Sequence, residues 1–260
     1  MRSKNLFLIA AIFIAAFFLS AEVPKATYIE GRVDAVDLPK GFEPYIIDEN
    51  QTLSSNLLIA TGVKGRLESK TKSNFWRLGN ETMGIWNSES DFWLESGSML
   101  FCSQEIQKIQ FSTAESNATF YGRGTIIIEA TKNGGFKFIP LEGKGTITTA
   151  KGGTKDIVGG RMLLVLGKPT FFGDAYDIDL MLMIKSSRLL NAFPSPLPSF
   201  NRIGLALYVQ DLKMKGKYDA LIGDATTNEN LQLWKFGKSK NNSSIKNKKG
   251  GFWSGLFGKE

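Results

Sequence analysis

From Thr27 to Leu166 the chain alternates short apolar stretches with glycine-bearing turns. Lys108-Ile109-Gln110-Phe111-Ser112-Thr113 alternates strictly between polar and apolar residues, the pattern of a strand with one buried face. Tyr28–Val33, Leu57–Ala60, Arg66–Ser69, Phe75–Leu78 and Met83–Trp86 read as further short strands. Thr125–Glu129 and Gly135–Leu141 carry the β-branched and aromatic residues that fit a pleated surface, and Met162–Leu166 closes the series. Short strands with glycine at most of the turns predict a mainly β fold, a sandwich or roll of short antiparallel strands.

The pattern changes after Gly173. Asp177–Phe193 has no glycine or proline and is apolar on more than one face, with Asp177 or Asp179 placed to cap a helix start. Pro194, Pro196 and Pro198 end that helix. Ser199 is placed to cap a second one running to about Met214, with Ile203, Ala206, Leu207 and Gln210 at helical spacing. The two form a C-terminal helical hairpin, packed on each other or on the sheet. Asp219–Lys235 reads equally as a short helix or a final strand. Lys238–Glu260 is dominated by lysine, asparagine, serine and glycine, the composition of a disordered basic tail.

The N-terminus has its own pattern. Arg2 and Lys4 precede an unbroken apolar run, Leu6–Leu19, and Ser20-Ala21 precede Glu22-Val23-Pro24-Lys25. That is the three-part layout of a secretory signal peptide cleaved after Ala21. The run is about 14 residues, short of the roughly 20 that cross a bilayer. Leu19 stands where a clean cleavage site has a small residue, which keeps an uncleaved anchor open as the alternative. The expected organisation is a signal peptide at 1–21, a β domain at 22–173, a helical segment at 174–236 and a flexible basic tail at 237–260. The body is expected to be extracytoplasmic, periplasmic or secreted.

Charge and composition narrow the chemistry. The formal charge is +7, but Arg2 and Lys4 belong to the signal and Lys235–Glu260 holds seven lysines against one glutamate. Residues 22–234 are left at −1, so the folded part has no basic face for nucleic acid. The chain has no histidine, which removes Ser-His-Asp and Cys-His catalysis, His-based zinc sites and the commonest general base. Cys102 is the single cysteine, so no disulfide framework exists and Cys102 reads as a small buried residue. No cofactor or metal site is expected.

Four groups of residues invite a functional reading. Gly122-Arg123-Gly124 looks like part of a phosphate loop but lacks the third glycine and a following helix, so it reads as a turn or bulge before a strand. Glu89, Asp91 and Glu95 would share one strand face at period two, either as an acid–base set for a glycoside or as a solvated face. Trp76, Trp86, Trp93 and Tyr121 would offer a flat platform to a ligand such as a sugar ring, or else fill the core. In the tail, Lys246, Lys248 and Lys249 precede Phe252, Trp253, Leu256 and Phe257, a pairing suited to peripheral membrane contact or to a partner groove.

The β region resembles the FecR domain family of bacterial envelope proteins over roughly Leu53–Leu166. The resemblance is carried by Ile59-Ala60-Thr61-Gly62, Gly65-Arg66-Leu67-Glu68, Phe75–Thr82, Phe92–Leu100, Tyr121–Glu129, Ile139–Ile147 and Ile157–Leu164, in that order. Lys72-Ser73-Asn74 and Arg161 depart from the family's turn and its glutamine. The resemblance implies a β-sandwich or roll without catalytic chemistry. Its regulatory members use a cytoplasmic segment ahead of a membrane helix, whereas five residues precede the apolar run here. The chain is therefore more similar to the simple exported members. The expected function is a noncatalytic envelope binding or scaffolding protein, with a protein or polysaccharide partner. A carbohydrate-active enzyme and a structural subunit of an exported assembly joined through strand edges are the alternatives. N-terminal sequencing of the protein recovered from its own cells is expected to begin at Glu22; recovery of Met1 in the membrane fraction identifies the anchor instead.

Overall fold

The computed structural model describes residues 23–214. The signal segment at 1–21, the stretch Asp219–Lys235 and the tail at 237–260 lie outside them. Among the described residues the fold is mainly β, with helices following the strands. The first strands are short: β1 (Lys25–Glu30), β2 (Val33–Asp37), β3 (Tyr45–Ile46), β4 (Leu57–Thr61), β5 (Arg66–Lys70), β6 (Asn74–Leu78), β7 (Met83–Ser88) and β8 (Asp91–Ser96). Three long ones follow, β9 (Ser98–Ser112), β10 (Asn117–Ala130) and β11 (Phe136–Thr149), then β12 (Gly153–Asp156), β13 (Arg161–Leu166) and β14 (Phe171–Asp177). The expected mainly β fold of many short strands is present, with these three long strands running through it. The glycines within them mark bends inside strands, not turns between them. β14 also carries the β region past the boundary expected at residue 173.

The pairing defines two layers that share the long strands. The first half of β9 (Ser98–Ser103) pairs with β6 and with the second half of β10, which continues through the first half of β11 to β13 and β14. β6 extends this layer through β5 to β1. The second half of β9 lies parallel to β8 and antiparallel to the first half of β10. β8 leads on through β7, β4 and β2 to β3, while the second half of β11 pairs with β12. Every pair except β8–β9 is antiparallel.

The crossing from layer to layer depends on two facing glycine pairs. Gly122 lies opposite Gly145 and Gly124 opposite Gly143, each with φ between 142° and 157°. A Cβ on Gly122 would meet the Lys144 carbonyl oxygen at 2.2 Å, and one on Gly145 would meet the Tyr121 carbonyl oxygen at 2.2 Å. Only glycine permits that approach and that backbone conformation. Relative to β9, the register shifts between Gly122 and Gly124, where Gln104, Glu105 and Ile106 of β9 stand against Arg123 alone. The bulge therefore lies in β9, and Gly122-Arg123-Gly124, expected as a turn or bulge before a strand, runs in regular register with β11.

The inner faces of both layers close on one core. Trp76, Phe101, Ile126, Ile128, Phe136 and Phe138 from one layer meet Ile59, Trp86, Phe92, Phe111, Phe120 and Ile147 from the other. Packing of this kind places alternate residues inward along each strand. On the outer face of the first layer, Leu100, Cys102, Ile127, Ile139 and Leu141 form a second apolar surface. Three helices cover it: α1 (Leu180–Ser186), α2 (Arg188–Asn191) and α3 (Phe200–Met214). The outer face of the other layer is left to solvent, with Lys108, Gln110 and Tyr121 exposed along it.

The helices depart from the expected hairpin in one respect. Asp179 caps α1, its carboxylate accepting from the Leu182 N–H at 2.9 Å. The helix then breaks at Ser187, which is extended and buried, and restarts as α2. Serine favours caps over helix interiors, and Ser186-Ser187 supplies two in succession. The Asn191 amide donates to the Ile184 and Lys185 carbonyls, satisfying acceptors that the break leaves open.

Arg77 of β6 fastens this cover to the sheet. It is fully buried, donating from Nε to Glu68 at 3.1 Å, from Nη1 to the Leu189 carbonyl at 2.8 Å, and from Nη2 to the Ser195 carbonyl. Its guanidinium lies 5.0 Å from the Phe75 ring centre and 4.4 Å from that of Phe193. Burial lowers the Arg77 pKa from its ordinary value, and Glu68 opposes that shift. The other Glu68 oxygen accepts from Thr27 at 3.0 Å. Arg77→Met is expected to destabilise the protein by roughly 3–5 kcal/mol because it leaves Glu68 buried without its charge partner. Adding Glu68→Gln is expected to recover part of that loss, as read by urea unfolding of both variants.

Candidate functional site

The aromatic residues singled out in the sequence do not assemble into a platform. Trp76 and Trp86 are 1% and 2% exposed and pack edge-on at 4.8 Å between the layers. Trp76 also meets Phe101 at 4.5 Å and stacks on Phe92 at 5.9 Å. Trp93 and Tyr121 lie on the solvent-facing side of the open layer, beside Ser112 and Lys108 respectively. Those neighbours are four residues apart on β9, about 13 Å along the strand. Large rings at inward positions supply core area first, which is why two of the four are unavailable to a ligand.

The carboxylates are dispersed as well. Glu89 sits in the turn between β7 and β8, so the three do not share a strand face. Asp91 and Glu95 share the outer side of β8 but are four residues apart, about 13 Å. Glycoside chemistry uses pairs about 5–5.5 Å or 6.5–9.5 Å apart. Cys102 is buried, near Ser199 and Gln104 on the helix-covered face. The tail residues Lys248, Lys249, Phe252, Trp253 and Phe257 lie outside the described residues.

A cleft of about 660 Å³ forms elsewhere, where α3 leaves the sheet beside the glycine crossing. One wall is the crossing itself, which presents Arg123 and Lys144; the loop Val158–Gly160 and the first residue of β13, Arg161, form the floor. The other wall is the side of α3, with Leu205, Ala206 and Val209. The position of α3 is set by polar contacts with the sheet. Glu142, 6% exposed, accepts from Thr125 at 2.7 Å and pairs with Arg202 of α3 at 3.1 Å. Arg202 also donates to Gln104 at 2.7 Å, and the Thr125 and Ser199 hydroxyls share a hydrogen bond. Further along α3, the Gln210 amide accepts from the Leu180 N–H at 2.9 Å and donates to the Ile178 carbonyl at 2.6 Å.

The electrostatics of the cleft follow from this arrangement. Glu142 and Arg202 neutralise each other. Arg123, Lys144 and Arg161 are exposed, and among the described residues none has a carboxylate within salt-bridge distance. Arg123 and Lys144 lie directly opposite one another in the β10–β11 register. Like charges so placed repel. Asp177 faces Arg161 across β13–β14 without closing an ion pair, so the cleft keeps a positive excess. Among the described residues no cluster of histidine, cysteine and carboxylates could hold a metal ion.

The sequence held one signal for this site. A Gly–basic–Gly triplet occurs twice, as Gly122-Arg123-Gly124 and Gly143-Lys144-Gly145, and the two halves face each other in the fold. No family model, curated protein or solved structure matches the chain. Trp76→Ala is expected to destabilise the fold by about 3–5 kcal/mol, as for a large ring removed from a core. Tyr121→Ala is expected to change stability by about 0.5 kcal/mol or less. Denaturant unfolding of the two variants checks both.

Proposed function

We propose that this is a noncatalytic, extracytoplasmic binding or scaffolding protein of the bacterial envelope, and that the cleft beside α3 is where it holds its partner. The observation that carries this reading is the composition of the cleft. Three cations that pair with no carboxylate among the described residues face an apolar helix wall, while the one buried carboxylate in the lining, Glu142, is engaged by Thr125 and Arg202. Such a lining can hold an anionic partner, and among the described residues it includes no serine, threonine or cysteine to act as a nucleophile. Placement in the envelope rests on the signal-like N-terminus and on the resemblance of the ordered β motifs to FecR domains.

The test is a pull-down from the source cell envelope with residues 22–260 as bait, with captured material identified by mass spectrometry. A parallel incubation of the same protein with envelope glycans looks for released sugars. Stoichiometric capture of an envelope protein or polysaccharide with no released sugar is the expected result. Release of sugars at a catalytic rate, or capture of nothing, overturns the proposal.

A further inference from the structure

We infer that the cleft between α3 and the glycine crossing receives an acidic peptide segment with an apolar face, contributed by a protein partner. The inference rests on the binding role proposed above and specifies the partner's chemistry.

Two features of the cleft select this chemistry together. The first is charge. Arg123 and Lys144 are held opposite each other by the register of β10 and β11, each flanked on both sides by glycine, so neither strand can slide to separate them. Arg161 adds a third cation from β13. Carboxylates arriving between them relieve a repulsion that the free protein carries.

The second feature is the helix wall. Ile203, Ala206 and Gln210 turn α3 towards the sheet and the start of α1. The flank beside that face carries Leu205, Val209 and Leu212, which are 63%, 39% and 56% exposed and follow one another at helical spacing. Leu205 and Val209 form the cleft wall, and Val158, 45% exposed, adds apolar surface from the floor. An acidic polysaccharide or inorganic phosphate satisfies the cations but has little to bury against these side chains. A flat bilayer surface does not enter a concave site. A peptide carrying Glu or Asp on one side and Leu-like residues on the other meets both walls at once, as in helix-in-groove recognition. The lining from Arg202 to Gln210 spans nine residues of α3, about 12 Å from first to last. That length accommodates about two turns of a bound helix.

The experiment titrates the 22–260 protein into fluorescently labelled 12-residue peptides and follows anisotropy. One peptide sets Glu and Leu on opposite faces of a helix; a second replaces each Leu with Gln; a third replaces each Glu with Lys. Polygalacturonate serves as the polysaccharide arm, by competition. Two variants confined to exposed side chains, Arg123→Glu with Lys144→Glu and Leu205→Asp with Val209→Asp, are compared with the wild type after their thermal unfolding is shown to match it. The Glu–Leu peptide is expected to bind the wild type and to lose about tenfold or more in affinity against either variant. The Leu-to-Gln and Glu-to-Lys peptides are expected to bind at least about tenfold more weakly than the Glu–Leu peptide. Absence of Glu–Leu binding, equal affinity for wild type and either variant, or equally tight binding of the Gln-containing peptide or polygalacturonate overturns the inference. An envelope component captured equally by the wild type and both variants also overturns it, while leaving the binding role itself in place.

Discussion

The fold turns on a close approach of two backbones. β10 and β11 pass from one layer to the other at a point where four glycines face each other in two pairs, and side chains there would collide with carbonyl oxygens little more than 2 Å away. Because the strands bend without breaking, their alternation continues through the bend: Phe120, Ile126 and Ile128 point into the core, while Thr125 and Ile127 point to the helices. The same geometry lifts Arg123 and Lys144 outward at the rim of the helix-covered face. The cationic wall of the cleft is thus a by-product of how the sheet crosses itself.

The helix cover is fixed by a different means. An apolar helix surface on an apolar sheet face has many nearly equivalent seatings, since hydrophobic contact is not directional. Here three polar attachments remove that freedom. Arg77 reaches the Leu189 and Ser195 carbonyls, Glu142 with Thr125 engages Arg202 and Ser199, and Gln210 joins α3 to the start of α1. A buried ion pair such as Arg77–Glu68 contributes little net stability compared with well-packed apolar residues. Its effect is better described as registry, because it holds the break between α1 and α2 and the proline-rich connection over one place on β6.

Much of this was legible from residue pattern, and the failures have specific causes. Strict alternation located the end of β9, and β-branched content located the second half of β10, because burial of one face imposes period two. Asp179 and Ser199 marked the starts of helices. Glycine misled: in β10 and β11 it meant close approach within a strand, and a single sequence carries no mark that separates that use from a turn. The helix expected over Asp177–Phe193 is split at Ser187, and the Leu189 carbonyl just beyond the break accepts from Arg77, more than a hundred residues earlier. The aromatic residues were visible, but which of them face inward depends on strand register. The cleft was least legible of all. Arg123, Lys144, Arg161, Leu205 and Val209 come from three strands and a helix, and only the doubled Gly–basic–Gly triplet hinted that two of them meet.

The three long strands have one more consequence. Local opening usually divides a protein into segments that come apart one at a time, each at its own free energy. Here the natural line of division, between the layers, is crossed three times by unbroken chain. β9, β10 and β11 cannot lose their pairing on one side of the bend without loosening the segment that continues on the other. Sandwiches built from separate sheets can shed an edge or a whole face in partial unfolding, whereas this architecture ties both faces to the same cooperative event. The rim where the strands cross, and the cations it carries, therefore belongs to the last part of the molecule to open.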